Sequence, residues 1–236
     1  MKKLFLIIAV IAGFGTAQTA EAHALWIESN SRATKHKAHE VNIFYGEYPS
    51  GVSDSTARWY SDLKNLEVWV LSPSQKKTKL ELKDLSTHLS SSFIPDEDGI
   101  YYVSSVHTTK DLGGTTKYEF SSVVPVLTGK APAALTVPEQ PLSVLVQPNA
   151  YKTNELIRVQ AWKGGQAFAG GEVLIMSPEG WVKTVKTDEN GQVSFTPKLK
   201  GSYVIETSDY KKEAGEWNAK PYTHTWKGTT ARILVN

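Results

Sequence analysis

The sequence predicts an all-β protein made of two tandem β-sandwich domains, the second immunoglobulin-like, and three observations carry that reading. Short runs rich in Val, Ile, Tyr, Phe and Thr recur at spacings of about ten residues, each bounded by Gly, Pro, Ser or Asp. Beyond the first two dozen residues no stretch keeps a helical period for more than about two turns. One tract in mid-chain, TGKAPAALTVPEQ from Thr128 to Gln140, resists both helix and sheet and divides the strands into two groups.

The elements follow in order. Lys2 and Lys3 precede the apolar run LFLIIAVIAGFG from Leu4 to Gly15, and small polar residues lead to Ala20-Glu21-Ala22. This is the pattern of a secretory signal peptide over residues 1–22, cut so that His23 becomes the first residue. A rival cut after Ala17 would leave Gln18 first, but it falls almost inside the apolar run. That run is short of the roughly 20 residues a membrane span needs, so the mature chain is expected to have no span and to be exported to the periplasm. An N-terminal domain over 23–130 then contains VNIFYG from Val41, LEVWVLS from Leu66, TKLELK from Thr78, GIYYVSSVH from Gly99 and KYEFSSVVPVL from Lys117. STARWYSDLKN, residues 55–65, is the best candidate for one short helix, capped by Ser53 or Ser55. A linker at 131–141 leads to a C-terminal domain over 142–236. Its strands are PLSVLVQP, ELIRVQAW, GEVLIMSP, WVKTVKTD, QVSFTP, GSYVIETSD and a last one near TTARILV, with a turn at Asp188–Gly191.

Composition narrows the function. Removing residues 1–22 deletes two lysines and one glutamate, so 26 minus 24 becomes 24 minus 23 and the charge is near neutral. No nucleic-acid or anionic-membrane partner is suggested. With no cysteine there are no disulfides, thiolate metal sites or cysteine nucleophiles, and any metal must be held by imidazole, carboxylate or main-chain atoms. Hydrolase, phosphate-loop and dinucleotide signatures are all missing, so an enzyme is not expected. The acidic trio Asp96, Glu97 and Asp98 reads as an ordinary turn before a strand.

The six histidines carry the remaining signal. His36 and His39 in RATKHKAHE, and His88 in LSTHLSSS, read as exposed surface residues. His107 ends an alternating strand, where its ring could enter a cleft between loops. His23 differs from all of them if it starts the mature chain. Its α-amine has an ordinary pKa near 8, and with the imidazole it forms a chelate. A second histidine would complete three nitrogens in a planar T suited to Cu(II) or Ni(II), while Co(II) and Zn also accept imidazole. His224, in the aromatic-rich stretch GEWNAKPYTHTWKG before the last strand, is the strongest candidate for that partner, with Trp26 and Trp226 shielding the ion. Plain packing of Trp217, Tyr222 and Trp226 is the competing reading of the same stretch.

HALWIE (His23–Glu28), IFYGEYPSG (Ile43–Gly51), WVKTVKTDENGQVSFTP (Trp181–Pro197) and EAGEWNAKPYTHT (Glu213–Thr225) together span nearly the whole mature chain. In these segments the sequence resembles exported bacterial proteins carrying a domain of unknown function, commonly labelled periplasmic components of cobalt or nickel ABC-type uptake systems. The resemblance implies two β domains, one divalent transition metal ion (Cu, Ni or Co, with Zn as a further option) and an inner-membrane transporter or chaperone as partner. It carries over His23, Glu47 and His224 as site residues. Two other readings stay open: a metal-free pair of sandwiches serving as an interaction module, and a copper oxidase or monooxygenase using a histidine brace.

Overall fold

The computed structural model describes residues 23–130 and 139–236, so the signal-peptide segment 1–22 and residues 131–138 of the linker lie outside the described residues. The described chain is all-β, with three short 3-10 turns as its only helical elements. None of its helices is long and apolar enough to cross a membrane.

Three sheets form two sandwiches. The first begins with the strand Ala24–Glu28, antiparallel to His39–Glu47, which pairs in turn with Leu89–Phe93 and Val52–Ser53, and Leu89–Phe93 pairs with Lys83–Asp84. This five-stranded sheet packs on one part of a nine-stranded sheet, and between them lie Leu25, Ile27, Ile43, Tyr45, Val103, Phe120 and Val124. Alternation explains the arrangement: Leu25 and Ile27 enter this core, while Ala24 and Trp26 on the opposite face meet Met176 and Val204. The second sandwich sets Leu142–Val146, Ile157–Lys163, Gln166–Ala167 and Gln192–Phe195 against the other part of the large sheet. Its core holds Val144, Ile157, Val159, Ile175, Tyr203 and Ile205.

The nine-stranded sheet belongs to both halves. Its order runs Val182–Lys186, Glu172–Met176, Gly201–Trp217, Lys220–Val235, Thr116–Thr128, Gly99–Thr108, Trp69–Leu71 and Lys77–Lys79, with Arg32–Ala33 attached to Thr116–Thr128. The C-terminal strand Lys220–Val235 lies parallel to Thr116–Thr128, with Thr116 opposite His224 and Ser122 opposite Thr230. The sequence division at 131–141 therefore separates two cores but not two hydrogen-bonded sheets.

Two local expectations differ from the structure. Residues 55–65 form two 3-10 turns, Thr56–Arg58 and Leu63–Asn65, instead of one helix. Ser61 takes a left-handed φ of 56° between them, and Trp59 and Leu63 are buried, so tertiary packing decides the path. The strands expected at GSYVIETSD and TTARILV extend much further, to Gly201–Trp217 and Lys220–Val235, and meet in a hairpin through the aromatic-rich stretch before the last strand.

The strand Ala24–Glu28 is fixed to the large sheet through its main chain. Thr230 Oγ1 donates to the Leu25 carbonyl at 2.6 Å, and Ser122 Oγ accepts from the Ile27 N–H at 3.2 Å. These two side chains are neighbours, with their hydroxyl oxygens 2.9 Å apart.

Candidate metal centre

His23 enters the site through strand register. Ala24 pairs with Gly46, so one further step along the antiparallel ladder sets His23 opposite Glu47. The chain then turns through Tyr48–Ser50, where Gly51 closes the turn at φ 70°, and Glu47 pairs back with Val52. Asp54 follows at once, held by its N–H to the Tyr45 carbonyl at 2.8 Å, and its own carbonyl accepts from Trp59 Nε1 at 3.1 Å. The tightness of this hairpin requires Gly46: at φ 152°, a Cβ there would sit 2.5 Å from the Val52 carbonyl oxygen. The second half braces the turn, since Tyr48 donates to the Ser202 carbonyl at 2.6 Å.

The result is an imidazole between two carboxylates. His23 Nε2 lies 3.2 Å from Asp54 Oδ2, and Nδ1 lies 3.8 Å from Glu47 Oε1. Glu47 Oε1 is buried and has no hydrogen-bond partner. A buried carboxylate oxygen without a partner is costly, so its neighbourhood is chemically informative. The 3.8 Å gap is too long for a hydrogen bond. It is shorter than the roughly 4.2 Å that two metal–ligand bonds of about 2.1 Å would span end to end, so both atoms fit around one ion. Among the described residues no three His, Cys, Asp or Glu side chains form a closed metal-ligand group. A closed set at His23 would take its main-chain nitrogen as well.

Aromatic rings form the inner wall. The His23 ring lies 5.2 Å from that of Tyr45, which meets Phe120 edge-on at 5.6 Å, and Phe120 meets Trp226 at 5.1 Å. Burial, followed by the nearby Asp54 charge, pushes the Tyr45 phenol well above its ordinary range, so it stays protonated and serves as wall. Trp226 thus stands behind the site with Tyr45 and Phe120 between it and His23. Trp26 packs elsewhere, against Phe44 and Tyr48.

The structure brings His23 and Glu47 together and places the other two expected ligands elsewhere. His224 lies between Lys212 and Thr116 in the large sheet, its ring stacked on Tyr210 at 5.3 Å and its Nδ1 2.9 Å from Thr223 Oγ1. That ring stands away from His23, because the strand continues past it for six residues before Thr230 meets Leu25. His107 Nε2 lies 3.1 Å from Asp62 Oδ1, which also accepts the Lys110 N–H at 2.8 Å. Burial alone would raise the Asp62 carboxyl, but the Lys110 and His107 bonds outweigh it and hold it below the usual range. That pair ties a loop to a strand end. His39, read from sequence as exposed, is buried, with Nε2 2.9 Å from Ser29 Oγ. His88 stacks on Phe44 at 4.8 Å. Asp54 is the site residue that sequence reasoning missed. The signal was present in GEYPSGVSD, where Pro49 and Gly51 form a tight turn that returns the chain beside Glu47.

A family model described as "Domain of unknown function (DUF4198)" matches residues 20–209. The chain belongs to this family. The match includes His23, Glu47 and Asp54 and ends before the far part of the C-terminal hairpin. No curated protein matches this DUF4198 chain. Among solved structures it is similar to a two-domain fibronectin type III segment of chicken tenascin, at 14% identity and a TM-score of 0.25, covering 88% of this chain and 97% of that one. An ice-binding, Ca2+-stabilized adhesin of an Antarctic bacterium gives 14% identity and a TM-score of 0.26, covering 92% of this chain and 50% of the adhesin. A marsupial T cell receptor gives 11% and 0.24, with 91% and 72% covered.

Proposed function

We propose that this DUF4198 chain is a periplasmic protein that binds one divalent transition metal ion, Cu, Ni or Co, and passes it to an inner-membrane transporter or chaperone. The observation that carries the reading is the partnerless, buried Glu47 Oε1 facing His23 Nδ1 at 3.8 Å, with Asp54 on the other ring nitrogen. The proposed donor set is the His23 imidazole through Nδ1, the α-amine exposed when residues 1–22 are removed, and a carboxylate oxygen of Glu47, with Asp54 orienting the ring through Nε2. Two nitrogens with carboxylate oxygens suit the tetragonal preferences of Cu(II) and Ni(II). His224 and His107 are left out of the set, since each is already engaged by its own neighbours.

The test is isothermal titration with Cu, Ni and Co of a chain that starts at His23, against the same chain with Met before His23. Blocking the amine is expected to weaken binding at least about tenfold, or 1.4 kcal/mol. Asp54→Asn and Glu47→Gln are expected to cost about 10–100-fold, as ligand or ligand-orienting carboxylates do. Unchanged affinity across all three variants would remove this site from the reading. Absence of binding to the unaltered chain would favour a metal-free interaction module.

A further inference from the structure

The large sheet presents a polar row beneath the first strand, and one member of that row has nothing to bind. Strand register aligns Ser122 with Thr230, Thr230 with Glu206, and Glu206 with Leu174. The first strand runs across this row: Ile27 is bonded at Ser122 and Leu25 at Thr230, one strand further along. In an extended chain the N–H and C=O of alternate residues point to the same edge, so the next main chain aimed at the sheet is that of His23. The next strand in the row supplies Glu206. Two residues advance about 6.7 Å while neighbouring strands lie about 4.8 Å apart. The shortfall grows along the row, and at its end stands the residue whose side chain is longer than that of Ser or Thr.

Glu206 is 4% exposed, and its Oε2 is buried without a hydrogen-bond partner. Its neighbour on the same face, Val204, belongs to the same buried cluster as Ala24, the residue next to His23. No ion pair among the described residues includes Glu206. A carboxyl group kept in such a place without a partner is expensive.

We propose that Glu206 is the acceptor for the main-chain nitrogen of His23, so that in a chain beginning at His23 the α-amine donates an N–H to the Glu206 carboxylate. This rests on the reading that His23 is the first residue of the mature protein. Glu206 is then a positioning residue: it anchors the amine next to its own imidazole and preforms the chelate, as outer partners of metal ligands do. It also gives the exported protein a means of registering its own processing, because a preceding residue would crowd the same buried oxygen.

The test is chemical and free of metal. Chains with His23 first, released from a fusion, are treated with acetic anhydride in EDTA, and acylation of the α-amine is timed by mass spectrometry against the lysines. Glu206→Met keeps the length and removes the acceptor; Glu206→Gln keeps the volume. The α-amine is expected to react at least about tenfold faster in Glu206→Met, the scale of a lost charge-assisted bond, with Glu206→Gln between and lysine rates unchanged. Should Glu206→Met fail to fold, faster α-amine labelling in Glu206→Gln still supports the assignment. Equal α-amine rates in the unaltered chain and in every variant that folds would overturn it. Because EDTA is present throughout, a chain that binds no metal in the titration could still pass here, so the two readings fail separately.

Discussion

At the scale of single residues, burial sets His23 and His39 apart. His23 keeps partial exposure between two carboxylates, whereas His39 is enclosed beside Ser29 and Phe93. Burial is the largest influence on His39 and lowers its pKa from the ordinary 6.5, with the Asn30 carbonyl and the Glu40 charge opposing it. The sign of the linkage follows. Below about pH 6.5 the unfolded chain binds a proton at this position that the folded chain resists, so stability is full above that value and falls as the pH drops toward the lowered one. Between about pH 7 and 5, the unaltered chain is expected to lose more Tm than His39→Gln, measured by calorimetry in parallel buffers. Equal losses would show that the ring titrates alike in both states.

At the scale of elements, the hairpin from Gly46 to Asp54 holds the site together. Gly46→Ala adds a methyl group at a φ that side chains avoid, directly against the Val52 carbonyl. The expected cost is about 1–3 kcal/mol in urea unfolding, together with weaker metal binding, because Glu47 and Asp54 shift with the turn. A variant with full stability and affinity would show that the hairpin tolerates the strain. This element also shows what the sequence could and could not reveal. IFYGEYPSG announces a strand and a tight turn through local residue chemistry, and the strands at Val41, Gly99 and Lys117 are legible from branched and aromatic residues bounded by Gly, Pro, Ser or Asp. The arm Ser208–Trp226 was not, since Lys211, Lys212, Glu213 and Glu216 are exposed and leave no one-sided apolar pattern. His224, expected just before the last strand, stands for that reason within it, between Lys212 and Thr116. Glu206 was equally hidden: ETS within a strand looks solvated until the register sets Glu206 beside Thr230 on a buried face of the large sheet.

At the scale of the whole molecule, the strand Lys220–Val235 makes the two sandwiches depend on each other. Its first half pairs with Thr116–Thr128 and sends Trp226 against Tyr118 and Phe120 in the first core. Its second half supplies Ala231, Ile233 and Val235 to the other core. A third cluster, Ile100, Tyr102, Val123, Leu127 and Leu145, joins strands from both sides of the linker. An excised 23–130 fragment would lose a central strand of its large sheet, expose the Thr116–Thr128 edge and uncover Phe120. The full chain is therefore expected to unfold in one calorimetric transition, with calorimetric and van't Hoff enthalpies in agreement, and the 23–130 fragment to show no cooperative transition at all. Two separated transitions in the full chain, one of them retained by the fragment at the same temperature, would mean that the halves fold independently. The distinction bears on the proposed metal site, because Tyr48 reaches Ser202 and the polar row beneath the first strand lies on strands from both halves. If the halves separate, the hairpin and the row separate too, and affinity should fall under any substitution that weakens the C-terminal strand.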